Sequence, residues 1–482
     1  MKKLSVIVVC SVVVLGLAWA GTAWWTGYQV ERHIQTVLAE PMPEGPFHEI
    51  VLLNYQRGLM SSAARYRIRL VPDVLPESAR ADTTFEFDAT VHHGPWPWPR
   101  LTRGQFTPVL ATAVAVPLPG GAWQPWFEAA NGAAPVTAEI DVAYSGELDF
   151  RARLAPIELL RDGTQLAVSG GVVKGTAPAD FSQLQLEGRV AKASLSTVPA
   201  SSDAGAAPTE VVFHDVRWQS HNRRGEFGIF PGQAEIDIRR LDIQTTDELD
   251  EPLPISLHDY RVIGELVEQG ENLSGRVEYD VGKLEVAGID LGHLDAALRL
   301  ERLHGPTVQQ ILANYRDLTS GAAPGTPVLP EGEQLDAWWR DSLEALLPER
   351  PVFALDPLRW ELPQGRSWIQ IEVALQPAPG PIVGLDHVAT LDARLVVSRP
   401  MAVEVMARLS QLPGGSGLDL EQARAAASMN IAFMQRLALA SGYVTADADA
   451  LMSRLSYADG RFTLNDKPLD LPAGWGRWLP LP

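Results

Sequence analysis

Apolar and polar residues alternate with a period of two over most of this chain. Tyr66-Arg67-Ile68-Arg69-Leu70 and Phe85-Glu86-Phe87-Asp88 set the pattern, which returns at 140–144, 184–186, 234–238, 277–279, 368–373 and 391–395. Successive side chains of a strand point to opposite faces, so this alternation predicts strands with one dry and one wet face, the habit of antiparallel sheets. Gly146, Gly188, Gly264 and Gly275 punctuate these runs, and glycines so placed predict bulges or bends that curve a sheet. A period near 3.6 appears only locally. Helices are expected over 29–40, 307–318 and 335–347. A stronger one starts at Asp419 with the capping-box spacing Asp419-x-x-Gln422. Its apolar face is Leu420, Ala423, Ala427, Ile431, Met434 and Ala438, and Gly442 ends it. A further short helix is expected from about residue 445, with Leu451 and Leu455 on one side. Asp459-Gly460 and Asn465-Asp466 predict tight turns in a closing hairpin.

One stretch breaks the alternation. Residues 4–25 carry no charge, follow Lys2 and Lys3, and lead into Trp24, Trp25 and Tyr28. Its 22 residues would span about 33 Å as a helix, enough for a hydrocarbon core of about 30 Å. The lysines predict a cytoplasmic N-terminus, and the aromatic residues an interfacial girdle. A cleaved signal peptide ending at Ala18-Trp19-Ala20 is the rival reading. The apolar run continues past Ala20 to the tryptophans, which favours an uncleaved anchor.

The chain contains a repeat signal. His93-Gly94-Pro95 and His304-Gly305-Pro306 each end an alternating run. Each is followed by a tryptophan pair (Trp123 and Trp126; Trp338 and Trp339) and then by Pro-Val at Pro135-Val136 and Pro351-Val352. The offsets of 211 and 216 residues predict a duplication. The expected organisation is an anchor at 1–28, a first β-rich half at 29–205, a second at 206–400, and a helical cap with a closing hairpin at 401–482. The fold class is mainly β with some α: a transmembrane helix, then large curved antiparallel sheets in two duplicated halves, then a small helical cap.

Composition narrows the function. Of 482 residues, 46% are apolar and 21% charged, with a net charge of −19. That is a folded chain with little to offer a phosphate backbone, so no nucleic-acid partner is expected. Cys10, inside the first apolar run, is the only cysteine, which removes disulfides and thiolate chemistry from the rest. His92 and His93 are adjacent and would point to opposite faces of a strand. A metal would need His214, His221 or His304 to join one of them, and no ligand spacing of that kind exists. Asp447 and Asp449 are read as helix-start carboxylates. Gly414-Gly415-Ser416-Gly417-Leu418 lacks the second glycine of a nucleophile elbow. Gly58 is read as a turn with Arg57 on the surface. No catalytic, metal or cofactor residue is assigned. Trp96 and Trp98, in Trp96-Pro97-Trp98-Pro99, are the candidates for docking a partner or lipid headgroups.

These features resemble the YdgA-like family of bacterial envelope proteins, to which no activity is assigned. The matching pieces are the anchor running into Trp25-Thr26-Gly27-Tyr28 and Glu31, the segment Tyr55-Gln56-Arg57-Gly58-Leu59-Met60-Ser61-Ser62-Ala63, His93-Gly94-Pro95, and Gly460-Arg461-Phe462-Thr463-Leu464-Asn465. The chain departs from the pattern at Asp466, where glycine is expected. The resemblance implies a Gram-negative inner membrane with the bulk of the chain in the periplasm. The expected function is non-enzymatic binding of a lipid, another apolar ligand or a partner protein on a sheet surface, with self-association through strand edges. The alternative is a periplasmic hydrolase acting on an envelope polymer through a dispersed carboxylate site.

Overall fold

A computed structural model describes residues 47–70, 84–161, 164–197, 209–246, 252–320, 333–379, 385–412 and 417–469. The anchor at 1–28, with Cys10, Trp24, Trp25 and Tyr28, the helix expected over 29–40, and Gly414, Gly415 and Ser416 lie outside the described residues. Among the described residues no helix is long and apolar enough to cross a membrane.

The described strands form one antiparallel sheet in which most strands pair with their neighbours in sequence, the exceptions being β6 with β9, β8 with β10 and β18 with β20. It opens with β1 (Phe47–Arg57), β2 (Ser61–Leu70), β3 (Thr84–His93), β4 (Ala111–Pro117) and β5 (Val136–Val142). Next come β6 (Leu148–Leu154), β7 (Ile157–Arg161), β8 (Thr164–Val168) and β9 (Gly171–Ala177). Because β6 pairs with β9 and β7 with β8, these four make one long broken hairpin. The central strands are longer: β10 (Gln183–Thr197), β11 (Thr209–Arg223), β12 (Gly232–Thr246), β13 (Pro252–Gln269), β14 (Asn272–Val286) and β15 (Ile289–His304). The sheet continues with β16 (Val352–Leu362), β17 (Gly365–Leu375) and β18 (Val388–Ser398). It closes with β19 (Thr445–Asp447), β20 (Ala450–Ala458), β21 (Arg461–Leu464) and β22 (Lys467–Leu469). Among the described residues no pairing joins β1 to β22, so the sheet is open.

The direction of the strands defines two edges. β1 begins at what we call the upper edge, and β3, β11, β13, β15 and β17 begin there too. Helices α1 (Gly305–Ser320) and α2 (Glu333–Leu346) join β15 to β16 at the lower edge. Helices α3 (Arg399–Leu409) and α4 (Leu420–Ser441) follow β18 at the upper edge. The capping box of α4 is present, with Asp419 Oδ1 accepting from the Gln422 amide at 2.9 Å and Gly442 in the left-handed region at its C-cap.

Two expectations are corrected. Residues 445–458 form the hairpin of β19 and β20, not a helix. Asp447 and Asp449 therefore flank a strand turn, where Asp449 accepts from Arg399 at 2.8 Å. The glycines at 188 and 264 are not bulges, since β10 to β14 keep their register through both. The boundary at 205/206 falls between β10 and β11, which pair along their whole lengths, so one sheet crosses it. His93-Gly94-Pro95 leads into the helical turn Trp98–Leu101 before β4, and His304-Gly305-Pro306 leads directly into α1.

α4 is held mainly by α3. Ala407, Ala423 and Ala427 bring the two helices close together. Glu404, 3% exposed, takes both Arg408 (2.8 Å) and a bidentate Arg424 (2.7 and 2.9 Å). The Arg424 hydrogen bond, then that of Arg408, outweighs the desolvation of the carboxyl and holds its pKa at about 2. Glu404→Gln leaves two guanidinium groups facing a neutral amide. It should weaken the α3–α4 contact by roughly 2–4 kcal/mol, read as faster amide exchange confined to 399–441. The wild-type lock should be complete above pH 4.5 and lost as pH falls through about 2.

Candidate functional site

The long strands present two unlike faces. On one, a charged row crosses the register: Arg217, Asp237, Arg261, Asp280, Asp295 and Arg359 lie side by side from β11 to β16, with signs alternating except where Asp280 faces Asp295. Arg261 reaches Asp237 at 2.7 Å, His293 reaches Asp280 at 3.0 Å, and Arg359 reaches Asp295 at 3.1 Å.

The other face is apolar in three adjacent rows. The middle row runs Ala234, Gly264, Val277, Leu298, Leu355, Ile371, Ala393 and Leu455. Beside it runs Trp218, Ile236, Val262, Tyr279, Ala296, Leu358, Ile369 and Leu395. On the lower side runs Leu266, Gly275, Leu300, Phe353, Val373, Leu391 and Tyr457. Between Leu355 and Leu358 the partner strands advance two residues while β16 advances three. This bulge, at Asp356-Pro357, keeps both leucines on the apolar face. It also accommodates a proline that has no amide to give to a ladder.

The chain covers part of this face itself. Leu343 of α2 and Leu347 after it pack against Phe353, Val373, Leu391, Tyr457 and Phe462 at the lower edge. Across β11 to β17 the face is left open as a groove of about 780 Å³, lined by Ala234, Gly264, Leu266, Val277, Leu298, Leu300, Leu355 and Ile371 among others. Seven strands at about 4.8 Å spacing make it roughly 29 Å long. Large apolar side chains remain exposed in these rows, among them Ile236, Leu298, Leu300, Leu358 and Leu395. Its floor is low because of Gly264, where an added β-carbon would meet nothing within 4 Å. Gly188 is a different case, since a β-carbon there would overlap the indole of Trp218.

A second cluster joins two of the short motifs. Gly58 and Ser61 close the turn between β1 and β2, and the His93 amide donates to the Met60 carbonyl at 2.9 Å. Ser62 Oγ lies 2.9 Å from His93 Nε2, and the Tyr55 hydroxyl donates to Ser62 Oγ at 3.0 Å. Ser62 Oγ is thus bonded on both sides, to the Tyr55 hydroxyl and to Nε2, while Nδ1 is buried with no partner among the described residues. Burial, then the charges of His92 and Arg57, lowers His93 to about 4, which keeps the ring neutral. Serine beside histidine is the spacing of a nucleophile and its base. Here both are sealed, at 2% and 1% exposure, so no substrate reaches them and the pair buttresses β1 to β3. Arg57 is exposed, as its surface reading requires.

The remaining candidates are dispersed. His304 bonds Thr307 Oγ1 at 2.8 Å at the start of α1. His214 lies 3.3 Å from Asp242. Among the described residues no three His, Cys, Asp or Glu side chains gather as metal ligands. Trp98 is 68% exposed on a single helical turn, Trp98–Leu101, and Trp96 donates its indole N–H to the Phe106 carbonyl at 2.8 Å. Both stand at the lower edge, with Phe106 also exposed.

The His93 site yields a pH dependence. The unfolded ring takes up a proton near 6.5 and the folded one only near 4, so the folded state should be favoured fully above 6.5 and progressively less as pH falls to 4. The full span is worth roughly 3 kcal/mol. Urea unfolding between pH 7 and 4 should show this loss in the wild type and a smaller one in His93→Asn, where only the half-buried His92, also held below its usual range by desolvation, remains of the pair. Ser62→Ala should keep the pH dependence and cost about 1–3 kcal/mol at pH 7 by stranding Nε2.

Comparison with known proteins places this arrangement in a lineage. Protein YdgA of Escherichia coli (strain K12) is 24% identical over 489 residues, covering 97% of this chain and 95% of that protein. Uncharacterized protein YihF of the same strain is 22% identical over 470 residues, covering 95% of each. No solved structure matches. Residues 1–472 match the family described as "Bacterial protein of unknown function (DUF945)", and the chain belongs to that family.

Proposed function

We propose that this is a non-enzymatic envelope protein that holds a long apolar ligand, such as a lipid acyl chain, across the strands of its open groove. One observation carries this reading: three apolar rows cross the sheet without a break, and among the described residues no second layer covers them between β11 and β17. The helix α2 lays leucines on the continuation of the same rows, so the face accepts aliphatic chains where the protein supplies them. A volume of about 780 Å³ lies within the range of small-molecule sites. The groove's length and glycine floor favour an extended chain over a compact ring. Among the described residues the charged neighbours that border it, Glu265, Arg276 and Arg299, alternate with the apolar rows and so point to the opposite side of the sheet.

The protein works from a membrane in this reading. Residues 4–25 anchor it, Lys2 and Lys3 stay in the cytoplasm, and the sheet lies in the periplasm. Trp96 and Trp98 give the lower edge an aromatic surface for a partner protein. Among the described residues β1 and β22 each pair on one side only, which offers a route to self-association.

Gly264→Phe tests the groove. The new ring has open space and an ordinary strand backbone, and relief of the glycine penalty should hold or raise stability by up to roughly 1 kcal/mol. Lipid retained by the detergent-extracted protein, measured by mass spectrometry, should drop to the level of a blank. Equal lipid in variant and wild type would dismiss the groove. Gly188→Phe, which collides with Trp218, should instead disrupt folding.

A further inference from the structure

α4 is amphipathic on one side only in appearance. On its inner arc Ala423 and Ala427 pack against Ala407, Val403 and Met406 of α3, and Ile431 and Ala438 are half-buried. The outer arc should then be polar if water were its only neighbour. Instead Met429, Phe433 and Leu437 stand at i, i+4 and i+8, each more than half exposed, with Met434 and Tyr443 beside them. Ala425, Ala432 and Ala440 fill the spaces between them, and Arg436 is the one charge of that arc.

We propose that the outer arc of α4 lies on the bilayer surface, seating the upper edge of the sheet against the membrane. Charge is the first support. From Gln422 to Ala446 there is no carboxylate, in a chain whose net charge is −19. An acidic protein thus keeps one helix that anionic headgroups do not repel, with a cation among its apolar side chains. Position is the second. α4 follows β18 at the strand-end edge where β1 also begins, fifteen strand spacings, about 72 Å, along the sheet from β1, so it gives the sheet a second membrane contact remote from the anchor. Tethering is the third, and it rests on the anchor reading above. An anchored domain meets its own bilayer at an effective concentration of order millimolar, so three or four apolar side chains suffice for a contact that would be too weak for a free protein. A second copy of α4, or residues 29–40 of the same chain, are the competing occupants.

The test uses the full chain with Cys10→Ser and Ala440→Cys, labelled with a polarity-sensitive fluorophore and reconstituted in nanodiscs of phosphatidylethanolamine and phosphatidylglycerol. Ser145→Cys, in the lower-edge turn between β5 and β6, is the control. Lipid carrying a nitroxide near its headgroup should quench the α4 label at least about threefold more than the control. Adding Phe433→Ser and Leu437→Ser should abolish the difference. Both residues are exposed, so the fold is spared. If the protein stays in washed nanodiscs but the two labels quench equally, α4 docking is overturned and the anchor stands. Energy transfer between labels that grows with protein density would assign the face to a second copy and overturn the proposal. Loss of the protein on washing would overturn the anchor and this inference with it.

Discussion

Aliphatic side chains ranged along one face of a sheet are stabilised only when water is taken from them, by about 25 cal/mol per Å². In a two-layer domain another sheet or a row of helices does this. Here the second layer is partial. α2 covers the lower end of the face from β16 to β21, while α3 attends to Leu362 and Trp360 at the upper edge. The buried clusters that result are small, and the broad middle of the face keeps its leucines and isoleucines partly wet. Groove, helix plug and charged back are consequences of this one imbalance. The charged back keeps the sheet from stacking on itself, so the apolar face is the side left to receive something else.

Maintaining a single apolar face over such long strands is a problem of phase. In β11 the apolar positions are Val211 and Phe213, then Val216 and Trp218; in β13 they are Ile255 and Leu257, then Tyr260 and Val262. Both series slip by one residue, at Asp215 and Asp259, and both aspartates hold a positive φ (52° and 50°). Aspartate visits that region more readily than most residues. Burial raises Asp215, but hydrogen bonding from Arg217 and the charges of Arg189, Arg217 and Arg239 prevail and hold its carboxyl below the usual range. The backbone irregularity is thus fastened by ion pairs to β10, β11 and β12. With the bulge at Asp356-Pro357 in β16, the sheet has two devices for correcting which face its side chains take, one that leaves the register unchanged and one that shifts it.

Period-two alternation is a local property, so it located the strands it was read from, and the caps and turns of α4 and the closing hairpins followed from equally local chemistry. Asp459, Gly460, Asn465 and Asp466 all take the positive φ that their turns require. The failures have a common cause. Leu451 and Leu455 are four apart, a spacing that fits a helix and is also a multiple of two, so it could not distinguish α4's neighbour from strand β20. Gly264 looked like a bend because sequence shows a missing side chain without showing whether the gap opens onto backbone or onto solvent. Ser62 and His93 stand in two separate motifs, and their hydrogen bond exists only through the pairing of β2 with β3. The outer stripe of α4 was written in the sequence at i, i+4 and i+8, but it was masked by the inner stripe, which satisfied the expectation of one apolar face. The groove itself was legible as a class of surface and not as a place, because its rows are built from residues on seven strands.

That dispersal has a structural consequence. Each strand contacts chiefly its two neighbours, as repeats do in a solenoid, so stability is gathered locally along the sheet. The groove is not local. It requires Gly264, Val277, Leu298, Leu355 and Ile371 to stand in one line, and a one-residue slip in any strand would turn that strand's contribution to the charged side. An added pair of residues at a turn would lengthen a hairpin and leave the line intact, whereas a single added residue would need a bulge of the Asp356-Pro357 kind to be absorbed. Relatives at 22–24% identity can therefore differ at most positions and keep such a surface, provided that apolar character and phase are maintained. The continuity of such a surface is a demand on phase and polarity more than on particular side chains.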